Sequence, residues 1–136
     1  MILKYQKIID DYTTHALIEP DDQDDQHITE LCVIGNDTYV HVPEQMVLPE
    51  QSFDIDVTLE SVILTDELRN EISVLSPHVR LINKRVVEKI RSRYSENDEM
   101  KRLRQLAQGV DCPEYINHIE SCRAWGKTEK EKIGLY

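Results

Sequence analysis

His118 and Cys122 stand four residues apart, a spacing that on a helix brings an imidazole and a thiol to one face. Such a pair could lend two ligands to a metal ion, the most specific chemistry any residue pair of this chain suggests. A structural zinc site needs four ligands, and the remaining His15, His27, His41, His78, Cys32 and Cys112 form no CxxC or HxxxH spacing. Cys122 also falls on an apolar stripe, where a small buried thiol is ordinary. A nucleophile needs a base and an orienting group within reach, yet no serine sits in a GxSxG elbow. The four glycines are too dispersed to cradle a phosphate. The carboxylates are numerous but exposed by pattern, so no pair is set up with separated pKa values. These residues lead to the expectation of no catalytic site, no metal and no cofactor, and of a protein that is not an enzyme.

Charge is divided very unequally along the chain. Residues 1–65 hold fourteen Asp and Glu against two Lys, while residues 66–136 hold twelve acids against fourteen bases, giving −10 overall. A split of this kind indicates two segments with different surroundings. Segment 80–104 holds nine Lys and Arg against four acids, with Tyr94 among them. A basic helix can lie along nucleic-acid phosphates, but the overall charge repels a polyanion at long range, so no nucleic-acid partner is expected. The mirror image is an acidic lobe that mimics DNA, with the acids at 19–25 and Asp54, Asp56 and Glu60 on one surface.

No apolar run approaches the roughly 20 residues of a bilayer span, and Met1–Lys7 soon turns polar, which argues against a signal peptide and a membrane partner. Three cysteines without a CxxC pair suit a reducing compartment.

The elements that would position these groups follow from periodicity. Ile2, Tyr5, Ile9 and Tyr12 fall at helical spacing, whereas Ile8-Ile9 and Tyr-Thr-Thr favour strand, so residues 2–12 fit either. Residues 19–26, acidic and without apolar side chains, read as a solvated loop. Ile28–Ile34 and Thr38–Val42 are β-branched and aromatic around Gly35-Asn36-Asp37, a hairpin pattern. Phe53, Ile55, Val57 and Leu59 alternate with Asp54, Asp56, Thr58 and Glu60, which predicts a strand with one buried and one acidic face.

After Leu64 the period becomes helical. Thr65 is an N-cap for a helix with Leu68, Ile72 and Leu75 on one face, and Ser76-Pro77 ends it and starts the next. Val79, Ile82, Val86, Ile90 and Tyr94 then predict an amphipathic helix of about five turns. Ser95 with Asp98 and Glu99 predicts a capped helix holding Met100, Leu103 and Leu106 and stopping at Gly109. Asp111-Cys112-Pro113 opens a last helix with the stripe Ile116, Ile119, Cys122 and Trp125. The expectation is an α+β chain: an antiparallel β-rich acidic lobe over 1–64 and a lobe of three to four helices over 65–136.

Three stretches carry a family resemblance: Thr29–Pro43; Leu64–Arg69 continuing through Ser76–Arg104; and Tyr115–Leu135 with Cys122-Arg-Ala-Trp-Gly-Lys127. Together they resemble a group of small proteins encoded in the tail region of bacteriophages and prophages, near tail-fibre or tail-tip genes. Ile90-Arg-Ser-Arg-Tyr-Ser-Glu-Asn-Asp-Glu-Met-Lys-Arg-Leu-Arg104 is the most characteristic part, and is also similar to the C-terminal helical region of several phage tail and tail-assembly proteins. The resemblance covers most of residues 27–136 and leaves 1–26 outside. It implies a structural or assembly protein that binds other tail proteins of the fibre or tip, alone or as a homo-oligomer. It places that protein in the host cytoplasm during assembly or in the virion tail, and it carries over no catalytic residue.

For a binding protein the candidate docking residues are Arg91, Arg93 and Tyr94 at the end of the basic helix, with the single tryptophan, Trp125. Interface cores favour aromatic and Arg side chains. The charge pattern supports a second function as well, that of an acidic inhibitor or DNA mimic of a host nucleic-acid enzyme.

Overall fold

The computed structural model describes residues 1–21 and 26–136. The fold is α+β, strand-rich before residue 65 and helical after it, and the chain forms two compact units. The first unit is Met1–Pro77 with Ile133–Leu135; the second is His78–Lys132 with Tyr136. No helix among the described residues is long and apolar enough to cross a membrane.

The first unit opens with strand β1 (Ile2–Tyr5), followed by a small hairpin of β2 (Ile8–Ile9) and β3 (Thr14–His15). Strand therefore wins over helix in residues 2–12, because β1 has partners along both edges. Leu3 pairs with Val40 of β5 (Asp37–His41) on one side and with Ser61 of β6 (Glu60–Val62) on the other. With β4 (Thr29–Ile34) the antiparallel sheet runs in the order β4-β5-β1-β6. The β4–β5 hairpin turns through Gly35-Asn36, with Gly35 at φ 62, the positive value that the first central residue of either primed turn requires. Leu31 is the extra residue of a β-bulge between Glu30 and Cys32, so that Leu31 and its neighbour Cys32 are both buried. The centre of the acidic loop expected at 19–26, residues 22–25, lies outside the described residues.

The strand expected over Phe53–Glu60 is corrected. Phe53–Asp56 is a single helical turn, α1, and β6 begins only at Glu60. Ile55 alone of that turn is buried, while Phe53 is 79% exposed. The reason lies in the partner: β1 ends at Tyr5, and beyond it Gln6 N–H donates to the Thr58 hydroxyl at 3.0 Å instead of to a strand carbonyl. An alternating pattern makes a strand only where a ladder receives it.

Leu3, Tyr5, Val40, Val42 and Ile55 form the core of one sheet face, with Leu17, Leu48 and Leu59 packed around them. Helix α2 (Asp66–Leu75) lies against β4, with Ile72 fully buried. The Thr65 hydroxyl caps it by accepting from Leu68 N–H at 3.2 Å. The returning segment Ile133–Leu135 is held in the same unit: Leu135 is fully buried, and its carbonyl accepts from Arg69 Nε at 2.6 Å. Secondary structure thus changes at residue 65, while the compact units divide after Pro77. The first unit exceeds the expected lobe of residues 1–64 because the apolar face of α2 is spent on the sheet.

The second unit contains α3 (Pro77–Arg91, of which Pro77 belongs to the first unit), α4 (Glu96–Ala107) and α5 (Pro113–Lys132). Val79 and Ile82 are buried on α3, which stops at Arg91, so that Tyr94 lies in the following turn with its N–H bound to Ile90 O at 2.9 Å. The capping box of α4 is present as expected: Asp98 N–H donates to Ser95 Oγ, and Ser95 N–H donates to the Asp98 carboxylate. Gly109 stops the helix region at φ 82.

The helix expected to hold Met100, Leu103 and Leu106 is present, and the stripe expected on α5 is corrected. In α4 Met100 and Leu103 face outward, and the helix has no buried residue; Leu106 alone of the three packs against the core cluster of Tyr94, Cys112 and Tyr115. In α5 the buried line is Tyr115, Cys122 and Gly126, with Ile119 half-buried, while Ile116 is exposed and Trp125 only half-buried. The shift from Trp125 to Gly126 at the C-terminal end has a steric cause. A Cβ on Gly126 would stand 2.6 Å from Val86 Cγ2, so the missing side chain is what lets α3 and α5 approach.

Candidate partner-binding surface

On α3, Arg80, Lys84, Val87 and Arg91 recur at i, i+4, i+7 and i+11, on the side opposite the buried Val79 and Ile82. Leu81 and Val87 are exposed among these cations. Among the described residues Lys84 and Arg85 make no ion pair, so these two cations present positive charge beside the exposed Leu81 and Val87.

The four residues expected to dock a partner fare differently. Tyr94 is buried, its ring edge-on to Tyr115 at 5.1 Å and 82°, and 5.4 Å from the His118 ring. It is a core aromatic of the second unit. Arg91 lies on the outward strip but is tied down: its guanidinium donates to the Glu99 carboxylate. That bond first, with nearby acidic charge, raises the Arg91 pKa further. Arg93 is the more exposed cation, 5.7 Å over the Tyr94 ring and 3.9 Å from Glu114. Trp125 is half-buried beneath Lys89, whose Nζ stands 4.6 Å over the ring centroid.

A chain of contacts connects these groups. Arg93 covers Tyr94, Tyr94 meets His118, the His118 Nε2 lies 3.1 Å from Lys89 O, and the Lys89 ammonium caps Trp125. Lys89 is the residue sequence reasoning passed over. It appeared as one more cation of the outer face, and the only signal available was its place one turn before Arg93. Glu99 was read only as an acid in a capped first turn. Its bond to Arg91 depends on how the turn between α3 and α4 folds back, which no local spacing announces.

Cys122 Sγ lies 3.6 Å from His118 Nε2, so the structure does bring the thiol and the imidazole together. The arrangement is wrong for activating the thiol. A carbonyl only accepts, so Nε2 carries its proton toward Lys89 O and has no lone pair left to take one from sulfur. The other half of a metal site is lacking as well: no group of three or more His, Cys, Asp or Glu among the described residues is placed to hold an ion.

In the first unit, Asp54 and Asp56 are exposed on α1, and Glu60 is 3.5 Å from Lys4 Nζ. Of the three acids expected on the wet face of that strand, two thus lie on a helical turn and the third is partly neutralised.

Comparison of the chain with protein families, with curated proteins and with solved structures finds no match.

Proposed function

We propose that this protein is a bacteriophage tail-associated structural or assembly protein that works by binding other tail proteins. The observation that carries the binding part is the outward side of α3, where Lys84 and Arg85 flank exposed Leu81 and Val87. A helix face with both free charge and exposed apolar groups suits docking: burial of the apolar side chains supplies affinity, and the cations steer and orient the approach. The tail assignment rests on the resemblance of Thr29–Pro43, Ser76–Arg104 and Tyr115–Leu135 to small phage tail-region proteins.

The test is co-purification of the tagged chain with tail-fibre or tail-tip proteins from phage-producing cells, together with its detection in purified virions. Recovery with tail precursors, and loss of that recovery in a Leu81→Glu/Val87→Glu variant, supports the reading. A chain absent from both particles and tail precursors, and bound instead to a host nuclease or restriction enzyme, replaces it with the acidic-inhibitor function.

A further inference from the structure

Lys127 stands four residues after Arg123 and three before Lys130, which puts the three cations on one side of α5. All three line a hollow of about 440 Å³ between α3 and α5, within the second unit. Val86 and Gly126 give the hollow apolar lining, and Asn83 of α3 adds an amide. The Tyr136 ring also lines it, 57% exposed, with Lys127 Nζ 5.6 Å over the ring centroid.

No acid lines this hollow, in a chain with 26 Asp and Glu against 16 Lys and Arg. Arg123, Lys127 and Lys130 make no ion pair among the described residues. Glu129 is taken by Lys132 at 2.8 Å, and Glu99, whose charge reaches Arg123, is bound to Arg91. Glu120 and Glu131, three and four residues from these cations on α5, lie outside the lining. Like charges at three- and four-residue spacing repel and destabilise a helix. The helix dipole offsets this for Lys130, in the last turn, but fades before Lys127 and Arg123. An anion seated in the hollow relieves the repulsion among all three.

The spread of the cations says what kind of anion fits. Seven residues of helix separate Arg123 from Lys130, about 10 Å, wider than one phosphate and suited to several in a chain. A guanidinium holds phosphate oxygens through two parallel bonds, and the ammonium groups act as point charges. The hollow has the size of a small-molecule pocket, and Val86, Gly126 and Tyr136 offer surface to an organic part. A nucleic-acid strand would meet the overall charge of −10, whereas a small anion meets chiefly the local field. We propose that this hollow binds the linked phosphates of a small molecule, a nucleoside triphosphate or an inorganic polyphosphate. The site goes beyond the tail-protein reading and does not rest on it.

Isothermal titration calorimetry of the full chain with ATP and with tripolyphosphate, both without divalent metal, tests this. The expected result is one site for each anion. Tighter binding of ATP assigns the site to a nucleotide, and equal or tighter binding of tripolyphosphate assigns it to inorganic polyphosphate. Arg123→Gln and Lys127→Gln should each weaken binding about tenfold, the worth of one charge-assisted hydrogen bond. Lys101→Gln/Arg104→Gln removes two exposed cations of α4 outside the hollow and should leave the affinity nearly unchanged. Without ligand, Lys127→Gln should melt no lower than the parent, because a repulsion is removed. Absence of binding to both anions overturns the proposal, as does an equal loss in the α4 variant. So does an oligonucleotide that binds more tightly than either anion, or a Lys127→Gln protein that melts well below the parent. Should Arg123→Gln unfold the chain, Lys127→Gln decides alone.

Discussion

The Arg91 guanidinium donates to the Glu99 carboxylate across the turn that joins α3 to α4, and Glu99 also accepts from the Tyr115 hydroxyl on α5. One carboxylate thus gathers all three helices of the second unit. The Arg91 bond, opposed by burial and helped by Tyr115, holds Glu99 below the usual carboxylate range. Burial, then the bond to Glu99, pushes Tyr115 up. A carboxylate with a lowered folded pKa stabilises the fold above its unfolded value, about 4.3, and that contribution is lost as pH falls through the folded value. Thermal melts from pH 7 down to pH 3 should therefore show an acid limb that begins near the unfolded value. Glu99→Gln should melt lower at pH 7 and lose less on acidification than the parent. Parallel pH profiles for the two proteins would remove this role from Glu99.

Arg91 and Arg93 separate into different kinds of residue. Reversing Arg93, which is exposed, should change stability by no more than about 0.5 kcal/mol. Arg91→Glu sets two carboxylates against each other in place of an ion pair and should lower the melting temperature visibly. Binding of the proposed tail partner should weaken on Arg93→Glu, more at low salt than at high, because exposed charges are screened. Isothermal titration at two ionic strengths, with the melting curves alongside, checks both statements; equal melting losses for the two variants would contradict the first.

Gly126→Ala opposes two effects. In an isolated helix the substitution gains about 1 kcal/mol of propensity. Here the new methyl would meet Val86 Cγ2 at 2.6 Å, and overpacking of a helix contact costs about 1–3 kcal/mol. Because the β-branched Val86 has few rotamers with which to withdraw its methyl, the steric term should win. Urea unfolding should show a net loss of stability, and a gain would mean that α3 and α5 can separate freely.

Ser95→Ala removes the side chain that accepts from Asp98 N–H and leaves a first-turn donor without its cap. A loss of about 1 kcal/mol is expected from helix caps of this kind. Hydrogen exchange should localise it to the first turn of α4, residues 96–99. Unchanged protection there would show that water replaces the hydroxyl at no cost.

What the sequence determined alone is what a few neighbouring residues can enforce. The Gly35-Asn36 turn, the Thr65 cap, the start at Pro77, the Ser95 box and the stop at Gly109 each rest on backbone geometry set within a turn of chain. The helical and hairpin patterns between them follow from periodicity, and with them the α+β class. Tertiary structure decided the rest, because it depends on partners distant along the chain. Residues 53–56 became a helical turn because β1 ended before it could pair them. The apolar face of α2 went to β4, which moved the division between the units from residue 65 to Pro77. Met100 and Leu103 fit a core face as well as an outer one by spacing, and only the packing of Leu106 onto Tyr94 and Tyr115 turned them outward. Tyr94, a docking residue by composition, was claimed by the core for the same reason: an aromatic ring gains more from being enclosed among other rings than from standing in water.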